Sequence, residues 1–492
     1  MPKRQLSFFL IAVLAAAPAL ASHSGGAPIH PVEPDDEHFL VDTGSGLDTG
    51  CTFRDGSPLV FFVEVDRYVG EVDGSGFLRD PGRLVSQKVV SPKARLMLPA
   101  FDVDSSANVP PYAPEVDKVF FNGRQLSKPT LTGSNNTWIM NEFEVPIDAV
   151  KFPQRGARGS RPTPARNEIR IDIDTANAEL VWCTSIDWAQ LQFKAMAPIL
   201  LVHGITAGPD TWEPAVTNYL EGEDVPFENN IQLGPNGSIA NNGGLLSQTV
   251  QEYADSFGVK KVHLVVHSKG GLDSRRFLST HYNPREVKVL SLHTLSTPHH
   301  GSVIADLSIA NLTLNDATSN NQNLNAFMNQ QGLANFFGQG PQRPGLDDLQ
   351  TASMAAFNAA NAFPGSVTLY THGADADLNN DGRISNAEAS PLVPGAANWA
   401  IDSGTLMYQI LRNVASINVV RRTNFFGLNE WHEISANATA FPLDNDLSVT
   451  DQSSHYPPES AHFFVNRNHS NIKDANSLGT VLNRIRSDFP VN

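Results

Sequence analysis

The chain has 492 residues, of which 41% are hydrophobic and 17% charged, the composition of a globular protein with apolar residues enough for more than one core. Its formal net charge of −16 argues against a polyanionic partner bound through electrostatics. Nucleic acids and anionic membrane surfaces would be repelled, so we expect no nucleic-acid partner. We also expect no transmembrane segment, because no stretch of the mature chain is apolar over the roughly 20 residues that a spanning helix needs.

The amino-terminal residues 1–21 have the pattern of a secretory signal peptide. Lys3 and Arg4 precede an apolar segment that is too short for a comfortable membrane span, and small residues end it before Ser22. We predict that the mature protein is secreted to the extracellular space, with the periplasm as the alternative. A linker rich in Pro, Gly and His is predicted to follow, over residues 22–41.

Residues 42–195 predict an all-β sandwich domain. The region contains alternating or continuous apolar runs, clusters of Gly, Pro, Asn and Ser between them, and no convincing helix. The predicted strands are residues 59–65, 84–90, 119–121, 137–145, 168–173 and 190–193. By fold-level analogy, such a domain binds carbohydrate or another surface, or packs on a catalytic domain.

The two cysteines of the chain, Cys51 and Cys183, both fall in this β-rich region. In an exported protein a cysteine pair favours a disulfide over metal or thiol chemistry. We therefore predict a bond between them that joins the first strand to the last. Two free buried thiols are the alternative.

A short apolar run from Val262 to Val266 ends abruptly before Ser268, and two glycines follow. We interpret it as a buried strand, a sharp turn and a helix, the arrangement that exposes a nucleophilic serine hydroxyl. Val266 stands where this motif has its first glycine, and we expect its branched side chain to crowd the turn. The alternative is an ordinary strand-to-helix loop with a capping serine.

From residue 196 onward, strands alternate with helices, which is typical of a parallel sheet. A buried strand ends in His203-Gly204 upstream of the serine turn. The backbone N–H groups of Ile205 and Lys269 are predicted to converge on a substrate oxygen and form an oxyanion hole. We expect His203 itself to be a buried structural residue.

Four motifs in chain order resemble those of the secreted bacterial triacylglycerol lipases of the α/β-hydrolase superfamily. They are the sequences PILLVHG at 198–204, HSKGG at 267–271, TPHHGS at 297–302 and LDDLQT at 346–351, the last followed by Phe357-Asn358. The resemblance covers about residues 197–492. It implies an α/β-hydrolase catalytic domain over residues 196–492, with a mostly parallel sheet, helices on both faces and a helical lid insertion.

The lid is expected at about residues 304–364, a segment rich in Asn, Gln and Ala with helical patches at 324–337 and 351–362. In the lipases that the chain resembles, this place holds a lid over the acyl site. The alternative is a packed cap that never moves.

The acid and the histidine that would complete a triad with Ser268 are expected downstream, since they follow the serine in this fold. The stretch around Asp446 resembles the one that bears the lipase acid, with Asp444 as the alternative. The stretch around His469 resembles the family's histidine loop, with His455 as the alternative.

Residues 377–388 fill every position of a twelve-residue calcium loop. A predicted strand before it and Pro391 after it differ from a helix–loop–helix hand, so we predict an isolated structural calcium site. A hydrophilic surface loop is the alternative. Many related lipases bind calcium through an aspartate two residues after the histidine, where this chain has Asn471. The proposed ligands are Asp377, Asn379, Asp381, the carbonyl of Arg383, Ser385 and Glu388.

The sequence therefore predicts a secreted serine carboxylic-ester hydrolase, with a lipase that cleaves acylglycerol esters through an acyl-enzyme as the leading interpretation. A lipid or other ester is the expected partner, Ca²⁺ the expected cofactor, and no organic cofactor is expected. The alternatives are a short-chain or polyester esterase, an acyltransferase on the same scaffold, and an inactive hydrolase fold that serves in binding.

Overall fold

The structure is a computed structural model that describes residues 38–42, 52–53, 58–316, 343–389, 398–423, 430–456 and 461–491. The predicted signal peptide and most of the predicted linker lie outside these residues. In the described part of the chain, no helix has both the length and the apolar character that crossing a membrane requires.

The described elements change from almost purely β to alternating β and α near residue 195. The strands are β1 (His38–Asp42), β2 (Thr52–Phe53), β3 (Leu59–Val65), β4 (Lys93–Phe101), β5 (Lys118–Phe121), β6 (Arg124–Thr130), β7 (Trp138–Pro146), β8 (Ala165–Asp172), β9 (Cys183–Ile186), β10 (Trp188–Gln192), β11 (Ile199–Val202), β12 (Phe227–Glu228), β13 (Lys261–His267), β14 (Lys288–Leu295), β15 (Thr368–Ala374), β16 (Val414–Thr423), β17 (Glu430–Ala438) and β18 (Ala461–Val465). The helices are α1 (Pro81–Ser86), α2 (Pro214–Gly222), α3 (Ile239–Phe257), α4 (Lys269–Thr280), α5 (Val303–Asp316), α6 (Arg343–Asp348), α7 (Thr351–Ala360), α8 (Asn386–Ala389), α9 (Asn398–Asn413), α10 (Asp451–Ser454) and α11 (Ala475–Asp488).

The β-rich region contains two antiparallel sheets. One has the order β1-β10-β4-β9-β2, with β7 paired to β4, and the other has the order β3-β8-β5-β6. Side chains from both sheets, such as Leu96 and Phe143 from the first and Val63 and Ile169 from the second, belong to one buried cluster. The two sheets therefore pack face to face around a shared core.

The predicted strand at residues 84–90 is wrong, because a short helix begins three residues earlier. Asp80 caps this helix by accepting a hydrogen bond from the Arg83 N–H at 3.0 Å, and Pro81 follows at the first helical position. Cap and proline both favour a helix start, and here they override the β-branched residues that suggested a strand. Val90 forms only an isolated bridge, with Ala195.

The predicted cysteine pair is half described. Cys183 lies in β9 and is 9% exposed, whereas Cys51 lies outside the described residues. Thr52, the neighbour of Cys51 in sequence, pairs with Thr184 in the antiparallel register of β2 and β9. The same register pairs Cys183 with Phe53, and the disulfide stays a prediction.

The second half of the chain is built on a six-stranded sheet of order β12-β11-β13-β14-β15-β18, in which every neighbouring pair is parallel. One face is covered by α3 and α4, and the other by α2 and α11. Strand β13 has apolar side chains on both faces, as a central parallel strand needs, with Leu264 in one core and Val265 in the other. Because all these strands are parallel and both faces are covered by helices, the carboxyl ends of the strands lie at one edge of the sheet, where a functional site can form.

The segment predicted as a lid starts with α5 and ends with α6 and α7. The helical patch predicted at 324–337 lies outside the described residues. Apolar residues of α5, α6 and α7, including Ala305, Leu346 and Met354, pack in one cluster with Leu272 of α4. The described part of this cap therefore packs directly against the helix that follows Ser268.

Candidate functional site

Ser268 lies on the turn between β13 and α4, with a backbone φ of 54° and ψ of −129°. Non-glycine residues rarely adopt such a positive φ, and the strain is typical of functional turns. Ser268 is 4% exposed. Its conformation is the one predicted for a serine presented at the carboxyl edge of a parallel sheet.

The two glycines after Lys269 allow α4 to pack closely against the strand ends. A Cβ atom on Gly270 would lie 2.4 Å from the carbonyl oxygen of His203, and one on Gly271 would lie 2.1 Å from the Thr297 hydroxyl oxygen. Any side chain there would push the helix away from the sheet. Val266 does not crowd the turn, because its side chain is buried in the core beneath α3 and α4. The expected cost of the missing glycine is therefore not observed.

Ser268, His469 and Asp446 form one hydrogen-bonded chain. The Ser268 hydroxyl lies 2.9 Å from His469 Nε2, and His469 Nδ1 lies 2.8 Å from Asp446 Oδ2. A carboxylate can only accept, so Nδ1 carries the ring proton and Nε2 is left to accept from the serine. The structure thus brings together the three side chains that the sequence singled out for a triad.

Local contacts fix the acid and the histidine. Asp446 is fully buried, and its Oδ1 accepts hydrogen bonds from the N–H groups of Ser448 at 2.9 Å and Val449 at 2.7 Å. The His469 N–H donates to the Asp446 carbonyl at 2.8 Å. These bonds hold the carboxylate and the imidazole in one orientation.

His267, the last residue of β13, contacts the loop that carries His469. Its Nε2 donates to the His469 carbonyl oxygen at 2.7 Å, and the two rings lie 4.8 Å apart between centroids. Burial, and then the charge that His469 can carry, hold the pKa of His267 well below its ordinary value. His267 is therefore neutral and positions the His469 loop without exchanging protons.

A cavity of about 240 Å³ opens at Ser268 and His469. Ile205 lines it, and the Lys269 N–H is the first of α4, directly after the serine. Among the described residues, neither of these two N–H groups has an intramolecular hydrogen-bond acceptor. Both donors are therefore available to a ligand oxygen, as the sequence suggested.

The side chain of Lys269 points away from this cavity into the protein. Its ammonium lies 2.7 Å from Asp273 Oδ1, and the Asn242 amide donates to Asp273 Oδ2 at 2.9 Å. Asn242 also bonds both backbone groups of Gly234, and the next residue, Pro235, accepts from the Thr206 N–H at 3.0 Å. One buried polar network thus connects the two loops that carry the Ile205 and Lys269 N–H groups.

The alternative triad residues lie elsewhere. His455 Nε2 is 3.5 Å from Asp451, and Asp444 is 3.8 Å from Arg412 with a side chain 55% exposed. His203 is buried, and its Nδ1 donates to the Gly204 carbonyl at 2.9 Å. Burial lowers the pKa of His203, which fits the structural role predicted for it.

The loop of residues 377–388 follows β15 and folds around its own acidic side chains. The Asp377 carboxylate accepts from the N–H groups of Asp381 at 3.1 Å and Gly382 at 2.7 Å, and Gly382 has a φ of +76°. Asn379 and Asp381 each accept a backbone N–H two residues on. A calcium loop of twelve residues needs such a sharp turn at the glycine of its sixth position, which is Gly382 here.

Two other proposed calcium ligands, Ser385 and Glu388, form hydrogen bonds that cap the next helix, α8. Glu388 accepts from the Ser385 N–H at 2.7 Å while the Ser385 hydroxyl accepts from the Glu388 N–H at 3.3 Å, a capping box for α8. In the described ranges, no three His, Cys, Asp or Glu side chains are arranged to hold a metal ion. The turn of the backbone is compatible with a calcium ion, but Glu388 would have to leave its capping hydrogen bonds to bind one. The carbonyl oxygen of Arg383 and the amide oxygen of Asn379 would be the uncharged ligands.

The loop is tied to both triad loops. The Ala376 N–H donates to the carbonyl of Asn445, the neighbour of Asp446, at 2.9 Å. The buried Asn468 amide, next to His469, donates to the Glu388 carbonyl at 2.8 Å. Hydrogen bonds therefore connect the two ends of this segment to the stretches that carry Asp446 and His469.

Sequence reasoning missed three residues at the site: His267, Asn242 and Lys473. Lys473 lines the cavity and is 7% exposed. No motif marks it, because His469 and Lys473 do not share a helix whose spacing would relate them. Asn242 carries no motif, since its role depends on contacts between loops that are distant in sequence.

The parallel sheet, the serine turn and the chain order of Ser268, Asp446 and His469 define an α/β-hydrolase fold. The family described as "Alpha/beta hydrolase of unknown function (DUF915)" matches residues 223–335. The matched region contains Ser268 and the helix that follows it.

Similarity to individual proteins is partial. The chain is 34% identical over 113 residues to Triacylglycerol lipase 2 of Saccharomyces cerevisiae, which is 23% of this chain and 29% of the yeast protein. The chain thus spans less than a third of the curated relative that it matches. Among solved structures, it is similar to Bacillus licheniformis lipase BlEst2 in mature form, with 23% identity, a TM-score of 0.39 and coverage of 59% of this chain and 91% of that one. For Staphylococcus hyicus lipase the identity is 14%, the TM-score 0.36 and the coverage 60% and 97%.

Proposed function

We propose that this chain is a secreted serine carboxylic-ester hydrolase that acts as a lipase on acylglycerol esters. The observation that carries the proposal is the hydrogen-bonded chain from Ser268 through His469 to Asp446 at the edge of a cavity. The strained serine backbone and the two free N–H groups beside it support the same chemistry.

In the proposed mechanism, the Ser268 oxygen attacks the ester carbonyl while His469 Nε2 takes the hydroxyl proton. The carbonyl oxygen becomes an oxyanion that accepts from the N–H groups of Ile205 and Lys269, and Asp446 stabilises the imidazolium. His469 then gives its proton to the leaving alcohol, and an acyl-enzyme remains. Water, deprotonated by the same histidine, attacks the acyl carbon and releases the acid and free Ser268.

The acyl chain is proposed to bind on the side of the cavity that the cap forms. Ala305 of α5, Leu346 of α6 and Leu349 after α6 are the apolar lining residues contributed by the cap. Movement of the cap at a lipid surface would expose this apolar area, which the lipid compensates at about 25 cal/mol per Å². This is the physical basis for preferring insoluble esters.

A short-chain esterase is the second candidate, and the size of the cavity favours it. At about 240 Å³, the cavity is below the range of roughly 300–1,000 Å³ usual for ligand pockets. A fixed cap would therefore admit only a small acyl group, whereas a moving cap would admit a long one.

Two measurements test the proposal. A fluorophosphonate probe should label Ser268 in the wild type and fail to label Ser268→Ala. Hydrolysis of a glyceride should then be followed as its concentration crosses the solubility limit. A rate that rises at that limit supports the lipase, a rate that saturates below it supports the esterase, and absence of labelling with absence of hydrolysis contradicts both.

Structural calcium at 377–388, a Cys51–Cys183 disulfide and export with loss of residues 1–21 complete the proposal. Calcium would act by fixing the connection that leads to Asp446 and His469, without contacting substrate. Mass spectrometry of the exported protein tests the last two points together. A chain that starts near Ser22 and lacks free thiols is expected, and intact residues 1–21 or two free thiols would contradict them.

A further inference from the structure

Lys473 is a buried lysine that lines the cavity at Ser268. It ends the short 3₁₀ turn Asn471–Lys473 and is 7% exposed. Its Nζ donates to the Ser470 carbonyl at 2.7 Å and lies 3.4 Å from the Ser470 hydroxyl. An ammonium has three N–H donors, so these two oxygens leave one donor without a protein acceptor among the described residues.

This ammonium has no counter-ion in the described part of the chain. No carboxylate there forms an ion pair with Lys473, and Glu213, the acidic residue that acts on it electrostatically, is exposed. Burial accordingly lowers the pKa of Lys473. A cation is rarely kept in such a place without a partner, because removing its hydration is costly.

Within the described residues, the cap contributes apolar side chains to the cavity, namely those of Ala305, Leu346 and Leu349. The loops at the sheet edge contribute apolar residues as well, such as Ile205 and Val449, together with the polar groups of Thr206, Thr211, Ser470 and Lys473. Lys473 is also close enough to act electrostatically on His267, whose ring contacts that of His469. Lys473 and Ser268 therefore line the same cavity, so a substrate bound at Ser268 shares that cavity with this cation.

We propose that Lys473 binds a carboxylate group of the substrate, so that the preferred substrates are short esters with one free carboxylate. Monoesters of dicarboxylic acids and the free ends of hydroxy-acid oligomers belong to this class. The proposal rests on the serine ester hydrolase chemistry of the proposed function, follows its short-chain esterase candidate and not the lipase one, and adds the substrate class. The anion would supply the missing counter-charge in a site of low dielectric, where such a pair is stronger than in water.

The competing role is purely structural, since the bond to the Ser470 carbonyl also steadies the loop after His469. The two roles differ in one measurable respect. A structural lysine affects hydrolysis of all esters alike, whereas a recognition lysine affects charged esters selectively. The test is therefore a ratio of two substrates.

The substrates are the para-nitrophenyl monoester of glutaric acid and its isostere with an isopropyl group in place of the carboxylate. Spontaneous hydrolysis is subtracted with a buffer blank that contains no protein, and Ser268→Ala is measured as a separate variant. We expect the wild type to favour the charged ester by about tenfold or more in kcat/KM, mainly through KM. In Lys473→Met and in Lys473→Gln, which keeps a donor for Ser470, the ratio should fall to about one, whatever the absolute rate.

Lys260→Met, a change at an exposed lysine remote in sequence from the site, is the matched control and should keep the wild-type ratio. A wild-type ratio of about one, or a ratio unchanged in both Lys473 variants, would overturn the inference. The wild-type measurement decides the matter even where a variant does not fold. Hydrolysis of both esters that survives in Ser268→Ala would instead overturn the proposed function, so the two failures are distinguishable.

Discussion

The ammonium of Lys269 and the carboxylate of Asp273 form an ion pair of 2.7 Å that is sealed from solvent, with the two side chains 1% and 3% exposed. The pair spans the first turn of α4, directly after Ser268. Burial raises the pKa of Asp273 to about 6, although Lys269 and Asn242 oppose the shift. The first turn of α4, directly after Ser268, is therefore stabilised by a buried ion pair in which each charge compensates the other.

Replacing only one residue of this ion pair should lower the free energy of unfolding more than replacing both. Asp273→Ala leaves a buried ammonium without a counter-charge, so we expect the free energy of unfolding to fall by about 3–5 kcal/mol. In the double variant Lys269→Met/Asp273→Leu no charge is left buried, and a smaller loss is expected. Urea unfolding of the wild type and of both variants measures the difference, and a double variant less stable than Asp273→Ala would refute this account.

The two histidines that the sequence left open can be separated by substitution. His469→Ala removes the group that would accept the Ser268 proton, and kcat/KM for a neutral ester should fall by at least about 10,000-fold. His455→Ala should lower it by less than about threefold, because His455 pairs with Asp451 instead. Circular dichroism of both variants controls for folding. If the His455 variant is the inactive one, Ser268 and His469 do not act together.

Local patterns predicted the parts of this fold in which one signal dominates. Strand β3 has the predicted bounds, 59–65, because an apolar alternation there meets no competing signal. The strand predicted at 84–90 was wrong because the helix cap at Asp80 outweighs the β propensity of these residues. A run of apolar residues does not by itself show which of the two signals prevails.

The same reasoning explains what could be foreseen of the site. Ser268, Asp446 and His469 stand in short motifs, and the structure brings all three together. Asn242 belongs to the site through contacts between separate loops, and Lys473 through burial beside Ser470 of its own loop. A sequence pattern encodes neither of these.

Calcium should stabilise the wild type through the loop at 377–388. At a calcium concentration of 100 times the dissociation constant, the gain is about 2.7 kcal/mol, and the melting temperature should rise accordingly. Asp377→Asn should lose this calcium-dependent rise, because Asp377 is the first ligand of the pattern. Asp148→Asn, at an exposed surface carboxylate, should keep it. Differential scanning calorimetry with calcium or a chelator decides, and equal melting temperatures of the wild type in both would exclude a calcium site.

Two buried carboxyl groups in the β-rich region, Glu115 and Asp117, should lower the stability of the protein at neutral pH. Glu115 is 2% exposed and Asp117 is fully buried, and the two carboxyl groups interact with each other. Burial, and then the charge of Asp117, raise the pKa of Glu115 far above its ordinary value. Burial also raises the pKa of Asp117, to about 6.

The sign of the effect follows from linkage. Between its unfolded and its folded pKa, Glu115 binds more protons in the folded state, so its contribution to stability is present at low pH and is lost as pH rises through the folded pKa. Glu115→Gln cannot ionise, keeps an oxygen for the Asp104 N–H that Glu115 Oε2 accepts at 2.5 Å, and gains a donor for Asp117. We expect it to be more stable than the wild type by about 1–3 kcal/mol near pH 8 and equal to it near pH 4. Glu286→Gln, at an exposed glutamate, should match the wild type at both values. Urea unfolding across this range provides the measurement, and a gain that is largest at acid pH would show that Glu115 is ionised in the folded protein.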